Sequence, residues 1–218
     1  MKHIMIPSLL LLALLSGCDN DPGKGKTKAV VEAPVAAAPA APAAPAAAPA
    51  AAATSLAFSP KDSSIEFTGA KVTGKHDVKV KEFQGTIELV DGDPLKSSVK
   101  VDMTMASLES SPAKFVGHLK SPDLLDVEKF PKASFESTAI KAGGEGGATH
   151  TVTGNFTLHG QTKSISFPAN VTATADAVTV KAEFVIDRKD FGVTYPGMPD
   201  DLIKDQVLVR LNIDAKKS

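Results

Sequence analysis

The chain has 218 residues, and alanine and proline so dominate its first quarter that only the remainder can enclose a core, which leaves one domain of ordinary size. Lys and Arg number 24 against 25 Asp and Glu, a net charge of -1 with no block of like charges, and there is no Trp and one Tyr, so both the electrostatics and the stacking surfaces of a nucleic-acid binder are missing. The one cysteine, Cys18, precedes the domain, which excludes a disulfide framework and a thiolate metal site within it.

Lys2 and His3, an apolar run from Ile4 to Leu15, and the small residues Ser16 and Gly17 have the layout of an export leader over residues 1–17. The run is shorter than the ~20 apolar residues that a membrane span needs. Leu15-Ser16-Gly17-Cys18 resembles a bacterial lipobox, which implies that Cys18 is diacylated and becomes the new amino terminus. Two acyl chains anchor durably where one binds only marginally. Asp19-Asn20 behind the cysteine resembles an inner-membrane retention signal, so the implied location is the bacterial cell envelope, as a periplasm-facing lipoprotein on the inner membrane.

Residues 18–54 follow as an Ala/Pro-rich segment. Pro34, Pro39, Pro42, Pro45 and Pro49 recur too often for a helix to survive between them, and Lys24, Lys26 and Lys28 read as a solvated flank. This is expected to be a disordered tether, extending at ~3.1 Å per residue to roughly 100 Å.

From residue 55 to 218 apolar residues fall on every second position, the pattern of strands buried on one face. Ile65 and Phe67 open the series, and Phe83, Gly85, Ile87 and Leu89 continue it to a turn at Asp91-Gly92 and Pro94. Val99, Val101, Met103 and Met105 form the third run. Ser110 and Ser111 before Pro112 read as a cap and a first-turn proline, predicting a short helix to about Lys120. After a corner at Phe130-Pro131, a strand with Ala133 and Phe135 runs into the glycine-rich hairpin tip Ala142–Gly147, from which Val152, Gly154, Phe156 and Leu158 return. Ile165, Phe167, Ala169, Val171 and Ala173, then Val178, Val180, Ala182, Phe184 and Ile186, and finally Val207, Val209, Leu211 and Ile213 complete the set. The sum is about eight strands linked as hairpins, which removes its edges by closing: an all-β, eight-stranded antiparallel barrel with one short helix between strands three and four.

A barrel of that size either fills with its own side chains or holds one small ligand. Gly85, Gly154, Ala169, Ala173 and Ala182 make the inward set small in volume, which favours an apolar cavity over the alternative, a solid core that acts through its outer surface. The residues expected to line such a cavity are Ile65, Phe67, Ile87, Val101, Met103, Phe135, Phe156, Leu158, Phe167, Val171, Val180, Phe184, Val209 and Leu211.

Three ordered stretches, HLKSPDLLDVEKFPKASFEST (118–138), VTGNFTLHGQTKSISFP (152–168) and IDRKDFGV (186–193), resemble the YceI-like family of periplasmic polyisoprenoid-binding proteins, and the resemblance covers Ser55 to Lys217. The tryptophan usual near the start of that domain is replaced by Leu56 or Phe58. The resemblance implies a lipocalin-like barrel holding the apolar tail of an isoprenoid lipid, a polyprenyl phosphate or an isoprenoid quinone, as a non-covalent ligand, with no cofactor and no catalysis. It leaves open whether the barrel pairs as a homodimer.

Within those stretches Lys120, Lys163 and Arg188 are the candidate partners for a charged head group. Arg188 stands between Asp187 and Asp190 and has the simpler reading of pairing with them. His76, His118, His150 and His159 lack the spacing that sets two imidazoles on one face, and Asp200-Asp201 lacks the alternating ligands of a calcium loop, so no metal site is expected. No serine sits in a nucleophile elbow, and His159 with Ser164 makes no triad pattern.

Overall fold

In the computed structural model of the chain, residues 20–35 and 53–217 are described; the leader, Cys18, Asp19 and the centre of the Ala/Pro run lie outside them. Among the described residues the strands are β1 (Val30–Glu32), β2 (Ala53–Phe58), β3 (Ser64–Lys71), β4 (Gly74–Val80), β5 (Phe83–Val90), β6 (Asp93–Thr104), β7 (Leu108–Ser110), β8 (Lys132–Ala142), β9 (His150–Leu158), β10 (Gln161–Ala173), β11 (Ala177–Asp187), β12 (Gly197–Met198), β13 (Asp201–Leu202) and β14 (Gln206–Lys216), with one α-helix, α1 (Ala113–Lys120).

Three pairs of these strands are halves of single bent staves. β2 and β3 are joined by residues 59–63, β4 and β5 by Lys81-Glu82, and β6 and β7 by a 3-10 turn at Met105–Ser107. The halves share partners: Glu66 lies opposite Lys79 in β3–β4, and past the bend Phe58 lies opposite Gly85 in β2–β5. Eight staves then follow one another as antiparallel neighbours, β2–β3, β4–β5, β6–β7, β8, β9, β10, β11 and β14. β14 pairs back onto the first, with Leu211 opposite Ile65 and Lys216 opposite Ala57, and the barrel is closed. The expected eight-stranded antiparallel barrel is the observed one.

Its hairpins follow from local chemistry. Asp91 and Gly92 (φ 53° and 72°) form a two-residue turn between the paired Val90 and Asp93. His159 and Gly160 (φ 51° and 72°) do the same between Leu158 and Gln161. Two successive left-handed residues match the twist of the flanking strands, and Asp-Gly is a preferred pair there. The helix differs in one detail from the expected cap. Pro112, extended at φ −77° and ψ 158°, itself takes the N-cap position with no side-chain cap bond, and the Ser110 hydroxyl instead donates to the Asp77 carbonyl at 2.5 Å. Leu119 of α1, with Leu124 and Leu125 of the following turns, packs into the core at one end of the barrel.

Residues 20–35 differ from the tether expected over 18–54. β10 pairs with β11 only through Asn170–Ala173, and beyond that point the two staves diverge. Residues 27–32 fill the split: Val30 lies opposite Ser166 and Glu32 opposite Ser164, while the Ala29 amide donates to the Val185 carbonyl (2.8 Å) and the Val185 amide to the Thr27 carbonyl (2.9 Å). Backbone groups in an unfilled split would lack partners, so the inserted strand satisfies the wall. Its side chains alternate accordingly, Ala29 and Val31 packing with the cluster of Ile165, Phe167 and Ile186 while Val30 and Glu32 are exposed. Lys26 pairs with Glu183, and the Asn155 amide clasps both the amide and the carbonyl of Val35. The start of the presumed spacer is therefore a piece of the barrel wall.

Candidate functional site: the barrel cavity

The barrel encloses a cavity of about 650 Å³, within the range of small-molecule sites, and its walls are almost wholly hydrocarbon. Period two delivers the wall. Ile65 and Phe67 of β3, Ile87 of β5, and Val101 and Met103 of β6 line one side. Phe135 of β8, Phe156 and Leu158 of β9, and Phe167 and Val171 of β10 line the next, and Val180 and Phe184 of β11 with Val209 and Leu211 of β14 close the circle. The structure brings every residue expected at the wall to it.

Several of these inward-facing groups, among them Phe67, Phe135, Phe156, Val180 and Leu211, are only half-buried. An inward aromatic that remains half-covered is facing a hollow, so a barrel packed solid does not describe this interior. The source of the space differs from the expected one. Gly85 is covered by the Phe58 ring and Gly154 by the Phe135 ring, and Ala169, Ala173 and Ala182 are not among the cavity residues. Phe167 and Phe184 stack at 4.2 Å and 13° and brace that wall.

Pro94, Ser97 and Ile140 border the cavity at the end of the β5–β6 turn. The other end carries its polar atoms: Lys71, His76, Lys114, His118, Tyr195 and Asp201 border it there. His76 stacks on Phe115 at 4.0 Å, and His118 meets the edge of Tyr195 at 5.4 Å while its Nε2 lies 3.3 Å from Asp123. Lys71 forms an ion pair with Asp201, whose carboxyl is held below its ordinary value of 3.8 mainly by that lysine and further by the hydroxyl and amide of Thr73. These mouth residues come from a hairpin tip, a helix and an irregular loop, so no period in the sequence points to them.

The three head-group candidates are not gathered at this mouth. The Lys120 ammonium donates to the Ala106 carbonyl at 2.6 Å, and Lys163, opposite Phe156 in register, is not part of the lining. Arg188 does border the cavity, yet it is buried and does not pair with Asp187 or Asp190. It donates instead to the carbonyls of Val193 (2.6 Å), Lys204 (3.2 Å) and Ile203 (3.5 Å) and to Asp205 (3.0 Å), because its 3-10 turn aims it under the returning loop. His159 is a turn residue with Nδ1 3.3 Å from the Phe191 carbonyl, and Ser164 lies beneath β1.

A family model described as a YceI-like domain matches residues 56–215. The chain belongs to the YceI-like family. A UPF0312 protein of Pseudomonas putida strain W619 is 37% identical over 123 residues, and one of Serratia proteamaculans strain 568 is 36% identical over 120 residues. These matches span 54% and 52% of this chain and 63% and 61% of those relatives, so less than two thirds of each relative is covered. Among solved structures, Burkholderia cenocepacia BcnA superposes with a TM-score of 0.62 at 21% identity, covering 72% of this chain and 98% of that one. A polyisoprenoid binding domain from Saccharophagus degradans gives 0.59 at 13% identity over 77% and 100%, and the Campylobacter jejuni YCEI protein 0.51 at 19% over 65% and 84%. At these identities the likeness is one of fold, and the YceI-like barrel of this chain shares it.

Proposed function

We propose that this YceI-like protein is a binding protein, not an enzyme, that sequesters an isoprenoid lipid in its barrel while Cys18 holds it at a bacterial membrane on the periplasmic side. The observation that carries the reading is the hollow lined by half-covered phenylalanines. An apolar tail laid there completes the burial of Phe67, Phe135 and Phe156 without requiring any buried polar partner. At ~0.8 kcal/mol per buried methylene each five-carbon isoprene unit contributes roughly 4 kcal/mol gross, so a few units saturate realistic affinity after association costs. Support from likeness comes from the family match and from the Saccharophagus degradans domain of the same fold, which is described as polyisoprenoid-binding. The head group, phosphate or quinone ring, would lie among Lys71, His76, Lys114 and His118, which are basic side chains bordering the cavity at that end.

The test is extraction of protein purified from its native membrane with organic solvent, followed by mass spectrometry. An isoprenoid in near-stoichiometric amount is expected. Consistently lipid-free protein that also fails to take up a polyprenyl phosphate or a quinone from mixed micelles would refute the proposal.

A further inference from the structure

We infer that the mouth of the barrel is a bilayer-docking rim, at which the β3–β4 and β12–β13 hairpin tips set Val72, Met198 and Leu202 into the surface of the membrane that anchors Cys18. The inference deepens the lipoprotein reading above and rests on it for the anchor.

Three observations converge on this end of the molecule. Val72, Met198 and Leu202 are 52%, 60% and 49% exposed, whereas the other large exposed hydrophobics among the described residues are Val30 and Val35 on the inserted N-terminal segment and Leu95 by the β5–β6 turn. Isolated exposed side chains need no explanation, but neighbouring ones at a cavity mouth mark an interaction surface. Val72 and Leu202 are neighbours on one face, the Val72 amide donating to the Leu202 carbonyl at 3.1 Å, while Met198, opposite Asp201 and one place out of step with Leu202, stands on the other face of the same hairpin, toward the cavity.

The two tips are also fastened to each other. Asp201 pairs with Lys71 and accepts from the Thr73 amide (3.1 Å) and hydroxyl (2.9 Å), and Lys71 bridges to Ile203 in the backbone. Met198, Gly197 and Ile203 border the cavity from the same platform. The apolar tips and this end of the cavity thus share one platform.

The chain itself reaches this point. The Asn20 amide group donates to the Val72 carbonyl at 2.8 Å, and the Lys75 ammonium lies 3.5 Å from the Asp21 carbonyl. Two residues span at most ~7 Å, so an acylated Cys18 has its lipid chains beside the rim rather than at the end of a long spacer. Docked in this way, the end of the cavity bordered by Gly197, Met198 and Ile203 faces the bilayer.

The absence of tryptophan supplies the probe. Val72→Trp and, at the opposite end, Leu95→Trp are placed singly in the chain without its leader, residues 18–218 carrying Cys18→Ser, and emission is followed on adding vesicles of phosphatidylethanolamine and phosphatidylglycerol. A blue shift is expected for Val72→Trp and none for Leu95→Trp, and Val72→Asp with Leu202→Asp is expected to weaken vesicle co-sedimentation at least tenfold. No shift at Val72, an equal shift at Leu95, or a shift that follows protein concentration without vesicles, which would mean a second copy covers the rim, overturns the inference. The mass of the Cys18 peptide from native membranes tests the anchor separately: an acylated peptide with a silent Val72→Trp sinks the rim alone, and a shifted Val72→Trp with an unmodified cysteine upholds the rim and sinks the anchor.

Discussion

The phenyl ring of Phe58 occupies the space in which a side chain on Gly85, its cross-strand partner at the bend of the first two staves, would stand. Adding a methyl there forces the ring off its position, and overpacking of this kind costs about 1–3 kcal/mol. Gly85→Ala is expected to lower the urea midpoint accordingly. Gly154→Ala should cost at least as much, since its methyl meets both the Phe135 ring and the Glu136 carbonyl, and backbone yields less than a ring. Gly69→Ala, with nothing within 4 Å of the new atom, should be neutral or stabilising by up to ~1 kcal/mol. Equal losses at all three sites would show that the rings do not set the cost.

The same pair shows what the sequence could and could not reveal. Period two identifies Gly85 and Gly154 as inward-facing, and alternation sets the residues from Ile65 to Leu211 that border the cavity on the inner face, because side-chain direction in a strand is fixed by parity. Parity does not say which neighbour leans over a glycine, and with Phe58 over Gly85 and Phe135 over Gly154 the glycines do not account for the hollow. The strand Gly74–Val80 was illegible because only Val78 and Val80 on it are apolar and buried. The inserted strand escapes notice for a different reason: Ala29-Val30-Val31 is a short apolar run without alternation, and the prolines of the same stretch dominate its composition. The mouth could not be read, because Lys71, Phe115 and Tyr195 meet only through tertiary contact.

Phenylalanines of the wall and of the core should respond differently to truncation. Phe191 is 0% exposed and meets Phe156 edge-on at 5.2 Å, so Phe191→Ala is expected to cost about 3–5 kcal/mol. Phe67 already borders the hollow, so Phe67→Ala in lipid-free protein should cost less than half as much. Narrowing works the other way: Val180→Trp with Leu211→Trp fills the lumen and should reduce co-purifying lipid severalfold while the fold is kept, as judged by circular dichroism and by mass spectrometry of extracts. Undiminished lipid would remove the cavity as its location.

Insertion of residues 27–32 between β10 and β11 makes adjacent positions inequivalent. Ala29 is 3% exposed and Val30 57%. Ala29→Asp places an unpaired carboxylate inside the wall and is expected to cost more than about 2 kcal/mol, with faster amide exchange at Val185. Val30→Asp should stay within ~0.5 kcal/mol of the parent. Equal effects at the two positions in thermal unfolding would mean that this segment is not part of the wall.

Asp77 gives the barrel a defined acid response. Its carboxyl is held below the ordinary 3.8 first by the hydrogen bond from Thr68 and next by the one from Arg210 at 2.8 Å, with burial opposing. Because the folded state holds the proton less tightly than the unfolded chain, the stabilisation is complete above pH ~4 and disappears as pH falls through the lowered folded value. The group is largely exposed, so the effect is small and weakened by salt. Asp77→Asn is expected to flatten the loss of stability below pH ~4 and to lower stability at neutral pH, where the charged bond to Arg210 is gone. A steeper acid loss in the variant would contradict this account.

Arg188 is the residue for which a structural and a ligand-binding role are most easily confused. Its four acceptors, three carbonyls and Asp205, tie the turn Arg188–Phe191 to the loop that carries Val193, Ile203 and Lys204, and the Asp205 carboxyl is held low by Lys189 first and by Arg188 as well. Lysine has neither the planar fork nor enough donors in the right directions, so Arg188→Lys should leave one or two carbonyls unpaired. The expected cost is about 2–4 kcal/mol, with faster amide exchange through residues 193–205. If the guanidinium only holds the loop, the kind of lipid recovered is unchanged and merely less of it remains. Were Arg188 instead to grip a phosphate, Arg188→Lys would change the ratio of phosphorylated to uncharged lipid at unaltered stability, and measuring that ratio beside the melting temperature separates the two roles.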